Sequence, residues 1–215
     1  MNVKSIKKAI IYKWSALLLV TVILFAAYGN IDGSAASREP MAELKVSVEE
    51  IVDILKREEL KGPEKYDERQ RLIWDIALKM FDFREMAKSS LGKNWNTITP
   101  EERDQFVDLF SSLVKKRYIG KINDYTDQEI VYTKQLIKKD RAMVYSLIID
   151  KGTEIPIIYK LKADQEKWFI YDMKIENVSM VLNYRRDFDS VIRKEKFAGL
   201  LERITERLEK QQDSP

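Results

Sequence analysis

The stretch that decides the fold is WFIYDMKIENVSMVLNYRRDF, residues 168–188. Its first half is rich in aromatic and branched apolar side chains, which is typical of a β-strand. A short polar segment then interrupts the apolar pattern, as expected of a turn. From Ser179 onward, Val181, Tyr184 and Phe188 recur at helical spacing, and serine is a residue type that caps helices. The stretch therefore predicts a strand, a tight turn and a capped amphipathic helix in direct succession.

Three more segments with strand-like apolar patterns lie upstream of this strand, which predicts a sheet. The four predicted strands cover residues 129–137, 141–150, 154–163 and 167–175. Each connection between them is only a few residues long, whereas a parallel crossover needs about a dozen residues or more. The sheet is therefore expected to be a four-stranded antiparallel meander.

Helical patterns flank the predicted sheet on both sides. On the N-terminal side they cover residues 44–59, 64–81 and 82–91. Gly92 is expected to cap the last of these, and Thr99, Pro100 and Glu102 form the start signal of a further helix. Two helices are expected after the sheet, the second with an apolar stripe over residues 197–208. The predicted fold class is α+β: N-terminal helices, a four-stranded antiparallel meander and C-terminal helices.

The composition excludes several kinds of active site. The chain has no histidine and no cysteine, which rules out a Ser-His-Asp triad, a cysteine nucleophile, a disulfide and a zinc site built on those ligands. Asp172 is the one acid embedded in an apolar strand, and a buried carboxylate can act as a general acid or base. No partner nucleophile is evident, so a structural Asp172, bonded to the following turn or paired with Arg185 or Arg186, is the favoured interpretation. We therefore expect no catalytic residue, no metal site and no cofactor, with a carboxylate-dependent hydrolase as the weaker alternative.

The charge distribution argues against nucleic acid as a partner. The chain carries 38 basic and 35 acidic residues, a formal net charge of +3. Residues 1–36 hold four lysines and one aspartate, so the rest of the chain is formally neutral. Proteins that bind nucleic acid normally show a net basic footprint.

The first 36 residues have the pattern of an export signal. Four lysines precede or flank the apolar run SALLLVTVILFAA, residues 15–27, and small residues follow at positions 34–36, so cleavage is expected after Ala36. The alternative is an uncleaved membrane anchor, because the run extended back to Ala9 approaches the length that spans a bilayer. The predicted organisation is then a cleavable signal over residues 1–36, a flexible leader over 37–43, a single domain over 44–210 and a polar tail over 211–215.

Three segments of the chain together resemble one family. They are MFDFREMA at residues 80–87 with Leu91, Gly92 and Trp95 after it, TPEERDQF at residues 99–106 with Phe110, Leu113 and Tyr118 after it, and the stretch 168–188. In this order, behind an export signal, they resemble the MlaC-like or toluene-tolerance family of periplasmic phospholipid-binding proteins. The resemblance covers roughly residues 44–208. Asn177 stands where many members have glycine, and the turn is still expected to form because asparagine tolerates the left-handed region.

The resemblance implies a function, partners and a site. Members hold phospholipid tails in an apolar cavity between sheet and helices. They carry the lipid between an outer-membrane lipoprotein complex and an inner-membrane ABC transporter that contains an MCE-domain protein. The chain is accordingly expected to be a monomeric periplasmic phospholipid carrier and not an enzyme. The expected lipid-lining residues are Phe106, Phe110, Tyr132, Val144, Ile157, Tyr159, Tyr171, Met173, Val181 and Tyr184.

Arg185 is a candidate contact for the lipid head group or a docking partner, with a structural ion pair as its alternative role. Periodicity also leaves a second function open, because a packed core and a lined cavity give the same apolar stripes. That second function is an exported protein–protein adaptor or chaperone-like module, with a solid core and no lipid cargo.

Overall fold

The computed structural model describes residues 39–122 and 128–210, so the predicted export signal and polar tail lie outside the described residues. Four helices precede the strands and a long helix follows them. The helices are α1 (Pro40–Lys56), α2 (Tyr66–Met80), α3 (Phe83–Leu91), α4 (Pro100–Ile122) and α5 (Met180–Lys210). The strands are β1 (Glu129–Lys138), β2 (Arg141–Asp150), β3 (Thr153–Asp164), β4 (Lys167–Ile175) and β5 (Val178–Ser179). Short 3-10 turns occupy Glu58–Leu60, Pro63–Lys65 and Gly92–Thr97.

The first helix begins earlier than predicted. Residues 40–43, which were assigned to a flexible leader, form the first turn of α1. Pro40 occupies the first helical position, where its fixed φ suits the helix and its missing N–H is not needed. The Met41 N–H donates to Gln135 Oε1 at 3.0 Å, and the Glu43 carboxylate accepts from the Trp168 N–H at 3.2 Å. These contacts tie the start of α1 to the sheet.

The predicted helix caps are confirmed. The Glu102 N–H donates to Thr99 Oγ1 at 3.2 Å, and the Thr99 N–H donates to Glu102 Oε2 at 2.8 Å, which is a complete capping box. Gly92 ends α3 at a φ of 57°, and the Leu182 N–H donates to Ser179 Oγ at 3.1 Å at the start of α5. The sequence signals therefore set these three boundaries directly.

The sheet is an antiparallel meander of five strands in the order β1-β2-β3-β4-β5, one more than the four predicted. The extra strand exists because Glu176 and Asn177 adopt φ of 49° and 65°, so the chain folds straight back onto β4. Asn177 thus forms the tight turn, as the sequence predicted. β5 is only two residues long, too short to show an alternating pattern.

The C-terminal helix contains one break. Lys196, with φ 64° and ψ −176°, is not helical and divides α5 into a first part before it and a second part after it. Gly199 follows the break, and a Cβ added there would lie 2.5 Å from the Glu195 Cβ. The Arg203 guanidinium spans the break by donating to the Glu195 carboxylate. The two helices that the sequence predicts after the sheet are these two parts.

Two hydrophobic cores stabilise the described residues. The helix-side core joins α3, α4 and both parts of α5, and the sheet-side core lies between one face of the sheet and α1 and α2. Trp74, Phe81 and Met173 pack against both. Among the helices of the described residues, none is both long and apolar enough to cross a membrane.

Candidate functional site

The predicted lining residues divide between the two cores. Four of them belong to the helix-side core and four pack in the sheet-side core, while Met173 packs against both. The helix-side four are Phe106, Phe110, Val181 and Tyr184, and the sheet-side four are Tyr132, Val144, Ile157 and Tyr159. Tyr171 joins neither group, because its ring stacks under the Arg141 guanidinium at 4.7 Å. The structure therefore brings nine of the ten into two neighbouring sets.

The space between the sheet and α1 and α2 is filled by side chains. Val144 is fully buried and Ile157 and Tyr159 nearly so. A pocket of about 20 Å³ opens there, against Leu44, Met80 and Ile170 among others. That volume is about the size of a water molecule, so this side of the sheet is packed in the described conformation.

An apolar pocket of about 380 Å³ lies instead on the helix side, between α4 and the two parts of α5. Its volume falls in the range of roughly 300–1,000 Å³ that is usual for small-molecule sites. Its apolar wall consists of Leu113, Tyr184, Phe188, Val191, Leu200 and Ile204. Its rim carries Asp187, Arg203, Glu206, Arg207 and Lys210. Of the predicted lining residues, Tyr184 is part of this wall.

Tyr184 has an unusual environment. Its ring is 2% exposed and packs edge-on against Phe110 at 5.3 Å and stacked on Phe188 at 5.4 Å. The proton of its hydroxyl has no acceptor among the described residues, because the neighbouring Arg117 side chain can only donate. Burial raises the pKa of Tyr184 from 10.0 to about 12, so the phenol keeps its proton well above physiological pH. The wall of the pocket therefore contains a buried hydrogen-bond donor with no acceptor.

A second pocket, of about 440 Å³, is lined by side chains from α2, α3, α4, β3 and β4 and from the link between α2 and α3. Phe81, Phe83 and Phe169 supply apolar surface, but Asp82, Asp108 and Asp164 surround it with carboxylates. The two larger pockets thus differ in charge, because the one beside Tyr184 has a mixed rim with three basic residues and this one has an acidic rim.

Asp172 lies at the junction of β4 and α5 and is 4% exposed. Its carboxylate accepts from the Ser179 hydroxyl at 2.9 Å, from the Lys160 ammonium at 2.9 Å and from the Val181 N–H at 3.2 Å. The bond expected to the following turn is made instead to Ser179 on β5 and to Val181 on α5. The ionic partner is Lys160 on β3, the strand beside β4, instead of an arginine on α5. Through these hydrogen bonds, the Asp172 carboxylate on β4 holds the start of α5 against the sheet. The described residues contain no cluster of three or more carboxylates that could bind a metal ion.

Arg185 also has a structural contact. Its guanidinium donates to the carbonyl oxygen of Ser89 through Nε at 2.8 Å and through Nη2. A Cβ added to Gly92 would lie 3.2 Å from the Arg185 Nε, so the glycine leaves room for this side chain. The expected ion pair does not form among the described residues, because the partner is a backbone carbonyl at the end of α3.

Sequence reasoning missed most of the wall of the helix-side pocket. Leu113, Val191, Leu200 and Ile204 do lie on apolar helix stripes, but a stripe does not reveal whether its residues border a pocket. The sequence predicts a second helix after the sheet, but it does not indicate that the stripe of this helix packs against α4 after the break at Lys196.

Comparison with known proteins defines the class of this molecule. The family model described as MlaC protein matches residues 45–206, about three quarters of the chain. The chain therefore belongs to the MlaC family. No curated protein matches it significantly. Its fold is similar to that of the phospholipid-binding protein from Ralstonia solanacearum in complex with a phospholipid, with a TM-score of 0.71 and 22% identity over 80% of this chain and 98% of that chain.

Proposed function

We propose that this protein is a phospholipid carrier of the periplasm. It shields acyl chains from water and shuttles lipid between an outer-membrane lipoprotein complex and an inner-membrane ABC transporter with an MCE-domain protein. The observation that carries the proposal is the fold shared with the Ralstonia protein, whose structure contains a phospholipid. Membership of the MlaC family, whose proteins are periplasmic lipid-binding carriers, supports the same conclusion. We assign the protein no catalytic role.

The energetics of the cargo define what the protein has to provide. Transfer of an acyl chain from water to an apolar environment is worth about 0.8 kcal/mol per methylene, or on the order of 12 kcal/mol for a long chain. A carrier must supply a comparably apolar wall, since otherwise the lipid stays in the membrane. The pocket between α4 and α5 offers such a wall, made of leucine, valine, isoleucine and aromatic side chains.

The predicted lining residues extend this wall inward. Phe110 packs directly behind Tyr184, and Phe106 packs against Phe110 with ring centroids 5.9 Å apart. In this proposal an acyl chain first occupies the pocket and then displaces these rings to reach Val181 in the helix-side core and Met173, which packs against both cores. Arg185 keeps α3 against α5 through Ser89, and its contact with a head group stays a prediction.

The test is the lipid content of the protein after export of the full chain. Organic extraction and mass spectrometry should find phospholipid in the purified protein. Val191→Arg, which places a charge in the pocket wall, should strongly reduce that lipid. The matched control is Val46→Arg on α1, where the side chain is 50% exposed and lines none of the pockets described above. The proposal fails if the unmodified protein carries no phospholipid and takes none up from labelled vesicles.

Export and processing can be tested on the same preparation. Cleavage after Ala36 predicts that the purified protein begins at Ser37. An intact N-terminus recovered in the membrane fraction would favour the uncleaved anchor instead.

A second candidate function, binding of a polypeptide partner, is favoured by the outer face of the sheet. Leu136 and Met143 pair across β1 and β2 on the face opposite Val144, and Leu136 is 50% exposed. Tyr145 lies two residues further along the same face. An adaptor with a packed core would use this face and carry no lipid, so the extraction experiment separates the two functions.

A further inference from the structure

The pocket between α4 and α5 has polar features that an apolar chain alone does not require. The Tyr184 hydroxyl is buried in its wall, and its proton has no acceptor among the described residues. Buried polar groups in folded proteins almost always have a hydrogen-bond partner, and each exception calls for an explanation. A ligand that brings an acceptor to this hydroxyl would supply the missing partner.

Two arginines close to Tyr184 also have no carboxylate partner among the described residues. The Arg117 guanidinium lies over the Tyr184 ring at 5.9 Å, and Arg207 lies on the rim of the pocket. The other two rim cations differ, because Arg203 pairs with Glu195 and Lys210 pairs with Glu206. The Lys116 ammonium donates to the Leu208 carbonyl, which holds the end of α5 beside α4, and both arginines lie close enough to Tyr184 to lower its pKa.

We propose that this pocket binds an amphiphile with an anionic head, whose acyl chain lies on the wall formed by Leu113, Val191, Leu200 and Ile204. The anionic group lies beside Arg207 on the rim, reaches towards Arg117 over the Tyr184 ring, and accepts a hydrogen bond from the Tyr184 hydroxyl. This inference rests on the proposed function and adds to it a preference for anionic over zwitterionic lipid.

The chemistry of the three groups is consistent at neutral pH. Arginine stays protonated in proteins, and its guanidinium suits phosphate and carboxylate oxygens. Tyr184 remains a neutral donor because burial raises its pKa to about 12. Of the two rim carboxylates, Glu206 is held by Lys210, and Asp187 is exposed to water, which screens its repulsion of an anion. The acidic rim of the other large pocket, with three aspartates, would repel the same ligand.

The experiment is competitive loading of the exported, purified protein. Vesicles with equal amounts of dioleoyl phosphatidylglycerol and dioleoyl phosphatidylcholine are incubated with the protein. The bound lipid is then extracted, and the amount of each species is measured by mass spectrometry. A parallel arm replaces phosphatidylglycerol by oleate, and calorimetry with inorganic phosphate tests for binding of an anion without a chain. The variants are Arg117→Gln/Arg207→Gln and Tyr184→Phe. The control is Arg186→Gln/Arg193→Gln, which removes the same charge from exposed positions of α5 outside the pocket.

The expected result is enrichment of the anionic lipid by roughly ten-fold, the equivalent of one charge-assisted hydrogen bond. The Arg117/Arg207 variant should bring that ratio close to one while total lipid is retained, Tyr184→Phe should lower it, and the control should leave it unchanged. Enrichment of phosphatidylglycerol or of oleate identifies which anionic head the rim accepts.

Equal loading of the two lipids by the unmodified protein would overturn the inference and leave the proposed function standing. A ratio that the arginine variant leaves unchanged would overturn it as well. Inorganic phosphate that binds as tightly as the lipid would show an anion site with no role for the chain. Absence of any lipid would overturn the proposed function itself.

Discussion

The two hydrophobic cores of this protein differ in the type of side chain that builds them and in how completely the space beside them is filled. The helix-side core is a network of aromatic rings, in which Phe106, Phe110, Tyr184 and Phe188 lie 5.3–6.3 Å apart. The sheet-side core is built mainly of aliphatic side chains between two helices and the flat face of the sheet. A pocket of about 380 Å³ borders the first and one of about 20 Å³ the second.

The difference bears on where the proposed lipid cargo would bind. A sheet and two helices offer continuous surfaces that branched side chains fill closely. The second part of α5 packs on α4 after the break at Lys196, and its residues Leu200 and Ile204 form one side of the pocket beside Tyr184. Under the proposed function, an acyl chain therefore enters at the helix-side core first.

The largest effect is expected from Phe106→Ala. This ring is fully buried and contacts Phe110, Phe188 and Phe197, so its loss leaves a cavity at the centre of the helix-side core. The free energy of unfolding, measured in urea, should fall by about 3–5 kcal/mol. Leu182→Ala, at a side chain that is 49% exposed, is the control and should change it by less than about 0.5 kcal/mol. Similar losses from both would contradict the described core.

A smaller loss of stability is expected from changing Asp172, which links β4 to the start of α5. Asp172→Ala leaves the Lys160 ammonium, the Ser179 hydroxyl and the Val181 N–H without their acceptor. The unfolding free energy should fall by about 1–3 kcal/mol. The matched change Asp104→Ala breaks an ion pair with Arg84 in which both side chains are more than half exposed, and it should cost less than about 1 kcal/mol. A loss of lipid transfer without a loss of stability would instead revive a functional role for Asp172.

Much of the fold could be predicted because local signals coincide with tertiary packing. The capping box at Thr99, the cap at Gly92 and the turn at Asn177 are short-range devices that the residues themselves specify. The start of α1 was misjudged because Pro40 lies outside the apolar stripe, and what fixes it is a contact with Gln135 nearly a hundred residues away.

The site was less predictable than the fold. Tyr184 was identified because it lies on the apolar stripe of α5. The remaining wall depends on how the second part of α5 packs on α4 after the Lys196 break, which the sequence does not specify. Arg185 could be read as an ion-pair partner, since nothing in the sequence indicates that the Ser89 carbonyl lies within its reach. Non-local geometry of this kind depends on the complete fold and not on a motif.

The next prediction in order of size concerns the pH dependence of stability at Tyr184. The pKa of Tyr184 is raised from 10.0 to about 12 in the folded protein, so the folded state holds the proton more tightly than the unfolded chain. The resulting stabilisation is complete below pH 10 and is lost as the pH rises towards 12, at roughly 1.4 kcal/mol per pH unit. Tyr184→Phe lacks this loss, so the difference in stability between variant and parent should grow over this window. Parallel curves from pH 9 to 12 would contradict the burial of the hydroxyl.

The smallest effects are expected from removing the same hydroxyls at neutral pH. Tyr132 on the sheet side resembles Tyr184, since burial raises its pKa and its hydroxyl has no partner among the described residues. Tyr132→Phe and Tyr184→Phe should each leave the unfolding free energy at pH 7 unchanged or raise it by up to about 1 kcal/mol. Only the Tyr184 change should also lower the preference for anionic lipid, which would separate the two cores by function. A loss above about 2 kcal/mol from either change would show that its hydroxyl does have a partner.

The most direct test of the central claim is photo-cross-linking with a phospholipid that carries a photoreactive group on its acyl chain. After uptake from vesicles and digestion, the account predicts labelled peptides that contain Leu113 on α4 and Val191 or Ile204 on α5. Labelling confined to the outer sheet face around Tyr145, or no labelling after confirmed contact with the vesicles, would contradict it.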